Sequence, residues 1–573
     1  MRLSVLSAAG LLLFAAALQG ADLRLEVNPE WAGQPIGVPS PVRSTRAEQQ
    51  VRITRLSALL SGFALRRPDG SAVYLGNQYG FIDAGSGRTG VTLTGVDKGK
   101  YSGLEFTIGL PHDVDSQDAS RWPAGHPLNP ITDGMYWGWQ GGYVFAAIEG
   151  NWWTGSGPHR GFSFHLASGA GVMRVHVDVP FEVQGPILVR CAWDLAAMIR
   201  PLQFEADGKG SSTHSRADDP LAHWLADSAV RAVGWRGWEP NASTVTDLAD
   251  SSAVRPVPAG AVPLVVPAGF PQPSLPADNP LTRAGIDLGK ALFSDPRLSG
   301  NGTQSCISCH KPAHGFADPA AVSIGAEGTS GFRHSPSLLN LAWAPAFDWD
   351  GSQPLIRNQV LNAMTGSQEM NGDPRKIAAK LAQDRSVAEQ FRVAFGSPGV
   401  TPERISLAIE QYLLTLVSAD SKFDRAARGE ESLTATEQRG LELFLTEYDP
   451  AHGRHGADCF HCHGGALFGD YVYRDNGLKA SPEDRGRGAV SGQTYDDGKF
   501  KTPSLRNVAV RGPYMHDGSL GDLKAVVAHY VHGVQRTPNL DPNLGKHPDS
   551  GLDLSEADQD ALVAFLLTLT SAK

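Results

Sequence analysis

The sequence predicts a multidomain chain: an N-terminal all-β domain of sandwich or barrel type, followed by mainly α-helical domains. Three observations predict it. Short runs in the front half alternate apolar and polar residues between glycines, the period of a half-buried strand. A proline-rich stretch then interrupts the chain, and beyond it apolar residues recur at helical spacing behind capping residues. With 573 residues the chain also exceeds what one hydrophobic core usually organises.

The elements follow in order. Met1-Arg2, the apolar run 11–18 and the small residues Gly20 and Ala21 read as a signal peptide over residues 1–21, too short for an ordinary membrane span. Residues 22–250 form the β-rich part, exemplified by Leu23-Arg24-Leu25-Glu26-Val27 and Arg174-Val175-His176-Val177-Asp178-Val179, with a helical piece at 221–233. Ten of the twelve tryptophans fall there, more than packing one sheet requires. Residues 251–280 are rich in proline (Pro256, Pro258, Pro263, Pro267, Pro271 and others) and read as a semi-extended linker. Helices are expected at 282–293, 373–395, 401–419, 434–444, 520–532 and 555–569. Thr401-Pro402-Glu403 and Ser555-Glu556-Ala557-Asp558 act as N-terminal caps. These helices divide into one domain over 281–430 and a second over 431–573.

Four of the five cysteines stand in two copies of one pattern, Cys306-Ile307-Ser308-Cys309-His310 and Cys459-Phe460-His461-Cys462-His463. This is the c-type heme attachment signature: both thiols form thioethers to one porphyrin, and the following imidazole ligates its iron. Such attachment takes place outside the cytoplasm, so motif and signal peptide together predict a periplasmic protein with two covalent hemes. Only Cys191 remains, which excludes a disulfide framework within the chain and reads as a buried thiol. A net charge of −10 without any basic run argues against nucleic acid as partner.

Further runs surround the motifs: Leu288-Gly289-Lys290-Ala291-Leu292-Phe293, Gly315-Phe316-Ala317-Asp318, Trp349-Asp350-Gly351, Glu369-Met370, and Lys501-Thr502-Pro503-Ser504-Leu505-Arg506-Asn507 leading to Pro513-Tyr514-Met515-His516-Asp517-Gly518. Through them residues 281–573 resemble the bacterial diheme cytochrome c peroxidase and MauG family. The resemblance implies hydrogen peroxide as oxidant, Trp349 as an electron relay between the hemes, and Gln359 and Glu369 on the open face of the first heme. There the carboxylate takes a proton from peroxide and returns it to the leaving oxygen, while the amide holds the peroxide. Peroxidases of the family place a methionine fourteen residues after the histidine of the PYxHDG run, and MauG-type enzymes a tyrosine; fourteen beyond His516 is Tyr530. A phenolate is a hard anionic donor that stabilises high-valent iron. His529 and His532 compete for that role on the same helix. The family also implies a calcium ion between the hemes, held partly by backbone carbonyls, here Arg511 and Pro513. His334 stands where an asparagine ligand is expected.

The front half carries Asp133-Gly134-Met135-Tyr136-Trp137-Gly138-Trp139-Gln140-Gly141-Gly142-Tyr143-Val144-Phe145, then Phe162-Ser163-Phe164-His165-Leu166. With Gly109-Leu110-Pro111 and Pro127-Leu128-Asn129, this resembles the copper-binding MbnP family over about residues 23–240, although Cys191 alone replaces the cysteine set of many members. The MauG-like partner of that family, MbnH, oxidises a tryptophan of MbnP to kynurenine, and the product helps bind copper. The two resemblances imply a diheme half whose high-valent hemes oxidise a tryptophan of its own front half and so generate a copper site. Ring opening yields a carbonyl and an aniline nitrogen, and histidine completes the donor set. Tethering raises the local concentration of substrate, and the reaction can also run between two chains. Trp122, in the loop Ser120-Arg121-Trp122-Pro123 between His112 and His126, is the expected modified residue, with Trp137, Trp139, Trp152 and Trp153 as alternatives. His165 is the first expected copper ligand, His126 and His112 the next. A competing reading is a peroxidase that reduces hydrogen peroxide with electrons from an external redox partner protein, against which Tyr530 weighs. A third is a non-catalytic copper-binding or electron-transfer protein, against which Gln359 and Glu369 weigh.

Overall fold

The structure is a computed structural model that describes residues 20–137, 141–205, 210–240, 260–480 and 483–571. Residues 1–19 of the expected signal peptide, Trp139 and residues 251–259 of the expected linker lie outside the described residues. Among those described, no helix is long and apolar enough to cross a membrane.

The front half is built from β1 (Ala21–Trp31), β2 (Gln50–Arg66), β3 (Gly90–Val96), β4 (Gly103–Ile108), β5 (Ala146–Trp153), β6 (Arg160–Leu166), β7 (Met173–Val177), β8 (Ile187–Asp194), β9 (Ser212–Thr213) and β10 (Val233–Pro240). Strand β1 buries Ala21, Leu23, Leu25 and Val27 and leaves the residues between them half-exposed, as the two-residue period of a strand requires. One curled sheet places β1 between β8 and β3, with β10 beyond β8. The other is organised by β2, whose 17 residues reach β5 with one half and β4 with the other. Strand β6 follows β5, and β7 lies outside β4. Most pairs are antiparallel, but β1–β8 and β6–β9 are parallel. Those partners are far apart in sequence, and a long connection allows a parallel pairing that a hairpin forbids.

Apart from other short helical turns, the helices that build the domains and the seam are α1 (Pro220–Arg231), α2 (Arg283–Phe293), α3 (Ile356–Thr365), α4 (Pro374–Ala382), α5 (Arg385–Phe395), α6 (Pro402–Leu414), α7 (Ala435–Leu445), α8 (Leu523–Ala528), α9 (Pro542–Gly545) and α10 (Glu556–Leu567). Thr282, Thr401, Thr434 and Ser555 cap α2, α6, α7 and α10 with their hydroxyls. The single helix expected over 373–395 is two, because Asp384 turns its carboxylate onto the Ser386 and Val387 amides and starts a second helix. Helix α8 runs into a π-helical turn, His529–Gly533, that carries Tyr530.

Residues 260–280 are extended but not loose. Phe270 is buried edge-on against Trp343, whose indole N–H donates to the Pro271 carbonyl at 2.7 Å. The β half docks on the last third of the chain through β5, β6 and α9. Gly161 of β6 lies so close to α9 that a side chain there would collide with the Pro542 carbonyl. Ser163 donates to Asn543 Oδ1 (2.8 Å), Asn151 to the Leu540 carbonyl (3.2 Å), and Arg160 pairs with Asp549 (2.7 Å). This seam brings the β half to the second CxxCH motif.

Candidate heme and metal centre

At the first motif, the His310 ring donates from Nδ1 to the carbonyls of Phe316 (3.0 Å) and Pro336 (3.1 Å), which leaves Nε2 as its bare nitrogen. Helix α3 carries Gln359, whose Oε1 is buried without a partner among the described residues. Glu369 is reached by solvent, yet its recess is tight enough that desolvation, then the charge of Asp348, push its carboxyl above the ordinary range. Its charge is felt at both Cys306 and Cys309, which places it on the first motif. Trp349 is half-buried, and its indole N–H donates to the His334 carbonyl at 2.8 Å.

At the second motif, His463 donates from Nδ1 to the Phe468 carbonyl (3.2 Å), again leaving Nε2 bare. Desolvation pushes the Tyr530 phenol up to about 12; its hydroxyl accepts from Asn476 Nδ2 at 3.4 Å, and Cys462 and Cys459 lie close enough to add to the shift. Of its competitors, His529 directs Nε2 to the Asn476 carbonyl (3.1 Å), and His532 is exposed. Burial pushes the Arg511 guanidinium down to about 10, and its Nε lacks a partner among the described residues. The residues fit two hemes: four cysteines unpaired with one another, two imidazoles with fixed tautomers, an orphaned amide and a buried cation suited to an anionic propionate. Calcium fits less well. His334 offers a nitrogen, and its Nδ1 already faces the Ala320 (3.1 Å) and Ala321 (3.2 Å) carbonyls.

The seam holds a third cluster. His165 from β6, His214 just after β9 and His461, inside the second CxxCH, turn one nitrogen each toward a common point, all within 4.8 Å of one another. Carboxylates hold the other sides of the first two rings: His165 Nε2 lies 2.8 Å from Glu149, and His214 Nδ1 lies 2.5 Å from Glu447. His461 directs Nδ1 to the Asp458 carbonyl at 3.3 Å. Burial pushes His165 down to about 4 and holds His461 well below the usual range, so both are neutral near pH 7. Burial works against ionisation of Glu149, but Arg55 and His165 keep it well below the ordinary carboxylate range.

Trp137 closes this cluster. Its ring centroid lies 4.7 Å from His165, 5.3 Å from Phe460 and 5.5 Å from His461, so the indole touches both variable residues of the heme motif. Trp122 sits elsewhere, stacked on His126 at 4.2 Å and edge-on to Tyr79. His126 accepts the Leu128 amide at Nδ1, and His112 begins a short helical turn. Of the expected copper ligands His165, His126 and His112, the cluster found among the described residues contains His165 alone. Trp152 stacks on Phe204 and Trp153 on His159. Sequence reasoning missed His214 and His461. His214 belongs to no motif, and His461 was absorbed into the heme signature, where variable positions carry no signal.

Comparison with known proteins follows the same division. The family model of di-haem cytochrome c peroxidase matches residues 283–432, and that of MbnP matches residues 20–215. The chain is 39% identical over 301 residues to methylamine utilization protein MauG of Methylorubrum extorquens, covering 51% of this chain and 80% of that protein. It is 33% identical over 301 residues to cytochrome c551 peroxidase of Pseudomonas aeruginosa, again with 51% and 80% covered. Among solved structures it is similar to a MauG-like protein associated with microbial copper homeostasis, at 33% identity and a TM-score of 0.49, covering 54% of this chain and 96% of that one.

Proposed function

We propose that this chain, which belongs to the di-haem cytochrome c peroxidase (MauG) family, oxidises a tryptophan of its own MbnP-like half to kynurenine and so prepares a copper site. As a member of that family it is a diheme c-type oxidoreductase that takes peroxide as oxidant. The substrate is our reading, and one observation carries it. Trp137 packs on Phe460 and His461, between the two cysteines of the second heme motif. Trp122 stacks instead within its own domain, so the geometry favours Trp137 as the modified residue.

Two hemes would be held by Cys306, Cys309 and His310 and by Cys459, Cys462, His463 and Tyr530, and would supply a store for the oxidising equivalents of peroxide. The protein's own residues do the rest. Glu369, poised by its raised pKa, takes a proton from peroxide at the first motif and returns it to the departing oxygen, while Gln359 orients the peroxide. Trp349 carries electrons between the halves of the centre. Trp137 is the terminal electron donor, and two equivalents of peroxide account for the four electrons that convert indole to N-formylkynurenine, which water cleaves to kynurenine and formate. The new carbonyl and aniline nitrogen arise beside His165. Thioether attachment requires export, so the protein works in the periplasm.

The test is peptide mass spectrometry of heme-loaded protein before and after hydrogen peroxide. Conversion at Trp137, lost in Trp349→Phe and in Glu369→Gln, is the expected result. Rapid turnover of a reduced cytochrome with every tryptophan intact would overturn it in favour of the peroxidase.

A further inference from the structure

We infer that His165, His214 and His461 form one copper site shared between the two halves of the chain, so that copper binding is linked to the state of the second heme. The inference takes only the choice of copper from the function proposed above and does not need tryptophan oxidation.

The Asp458 carbonyl can only accept, so His461 carries its proton on Nδ1 and leaves Nε2 bare. Glu149 fixes the proton of His165 on Nε2, leaving Nδ1 bare. The Glu447 carboxylate, 2.5 Å from His214 Nδ1 but out of line for a hydrogen bond, favours the proton on that nitrogen and leaves Nε2 bare. The three bare nitrogens face one another: His165 Nδ1 to His214 Nε2 is 3.3 Å, and His214 Nε2 to His461 Nε2 is 2.6 Å. Lone pairs at such distances repel unless a cation lies between them. Imidazole nitrogens bind first-row metals at about 2.0–2.1 Å, so two on one ion stand about 3.3–3.6 Å apart. The first pair is already at that distance, and the second opens by less than about 1 Å.

The surroundings are those of a metal centre. Two rings are backed by carboxylates and the third by a carbonyl, the usual outer support of ligating histidines. Trp137 and Phe460 cap the point with aromatic rings, and three imidazole nitrogens without a directly converging carboxylate suit copper.

His461 makes the site more than a property of the β half. Its backbone is pinned between Cys459 and Cys462, so an ion it binds lies next to the second heme's attachment turn. A positive charge there favours reduced over oxidised iron, and by reciprocity reduction of that heme tightens copper binding.

The experiment titrates copper(I), held by a competing chromophoric chelator, into heme-loaded protein never exposed to peroxide, and follows the second heme by spectroelectrochemistry. One equivalent should bind, and the second-heme potential should rise; tenfold tighter binding to the reduced form corresponds to about 59 mV. His461→Gln and His214→Gln should each weaken copper binding by about 100-fold or more and abolish the heme shift. His214→Gln is decisive because it lies far in sequence from the attachment motif, and heme content measured on each variant reports intact loading. Wild-type affinity in His461→Gln, an unmoved second-heme potential, uptake of zinc but not copper, or a shared proton in place of any metal would each overturn the inference.

Discussion

Replacing Gly161 by alanine separates docking from chemistry. An alanine Cβ at this position of β6 meets the Pro542 carbonyl and the Lys546 amide, both backbone groups that cannot rotate away. Gly545 faces it, and a Cβ there meets the Gly161 amide at 2.7 Å. One added methyl must therefore push β6 off α9 or bend either element. Overpacking of this kind costs about 1–3 kcal/mol. If the cost falls on the docked arrangement, the equilibrium constant for seating Trp137 on Phe460 drops about 5- to 150-fold. The rate of Trp137 oxidation in Gly161→Ala should fall by up to that factor, read as kynurenine formed per minute in single-turnover mass spectrometry. Heme content and the initial reaction with peroxide at the first motif should stay unchanged, since no group of that motif touches β6 in the contacts described. Gly545→Ala should act alike, and the two changes together should cost less than their sum, because either one already opens the gap. Trp137 oxidised at the wild-type rate in a folded Gly161→Ala protein would refute the reasoning.

Other perturbations address the centre itself. Glu369→Gln should slow the peroxide reaction by about 10²–10⁴-fold. The raised Glu369 pKa places the acid limb of the wild-type profile above the ordinary carboxylate range, and Asp348→Asn, which removes a neighbouring negative charge, should move that limb to lower pH in stopped-flow assays. Tyr530→Phe should change the visible and paramagnetic spectra of the second heme only; unchanged spectra would exclude phenolate ligation. Arg506→Met strips the buried Asp424 of its bidentate partner (2.8 and 2.9 Å) and should cost about 3–5 kcal/mol in denaturant melts. Burial opposes ionisation of Asp424, but Arg506 holds its pKa below the unfolded value. The pair therefore stabilises fully above the ordinary carboxylate range and fades as pH falls through the lowered pKa, a dependence that Arg506→Met should lose.

Much of this was legible in residues whose signal is local. The alternation of β1, the caps at Thr401 and Ser555 and both CxxCH motifs declare themselves within a few positions. The break at Asp384 was missed because two capped helices share one apolar period, and only the aspartate's turn onto two amides separates them. The parallel β1–β8 pair was hidden because register between distant strands is decided by the whole sheet. The proline-rich segment reads as extended from its composition, yet nothing local shows that Phe270 would find a slot beside Trp343. The seam cluster is the clearest case. Its ligands come from positions 165, 214 and 461, and the last sits where the heme signature treats identity as free. Only the docking of β6 on α9 makes them neighbours.

Under the proposed function, that docking would also explain how a diffuse oxidant selects one indole among ten in the front half. Electron removal from tryptophan needs no shaped pocket, and its rate falls steeply with distance, so selection rests on which ring touches the heme-bearing turn. Trp152 and Trp153 stack on Phe204 and His159, and Trp122 on His126, all within the β half. Trp137 alone among these packs on Phe460 and His461. The same contact sets it beside His165 and His214, so under the proposed function the residue that would lose electrons fastest is the one whose ring-opened product would gain donors where imidazoles already converge. Moving a tryptophan tests this directly. Trp137→Phe should end oxidation without shifting it to Trp122, whereas efficient conversion of Trp122 in that variant would show that contact with the attachment turn does not govern the choice.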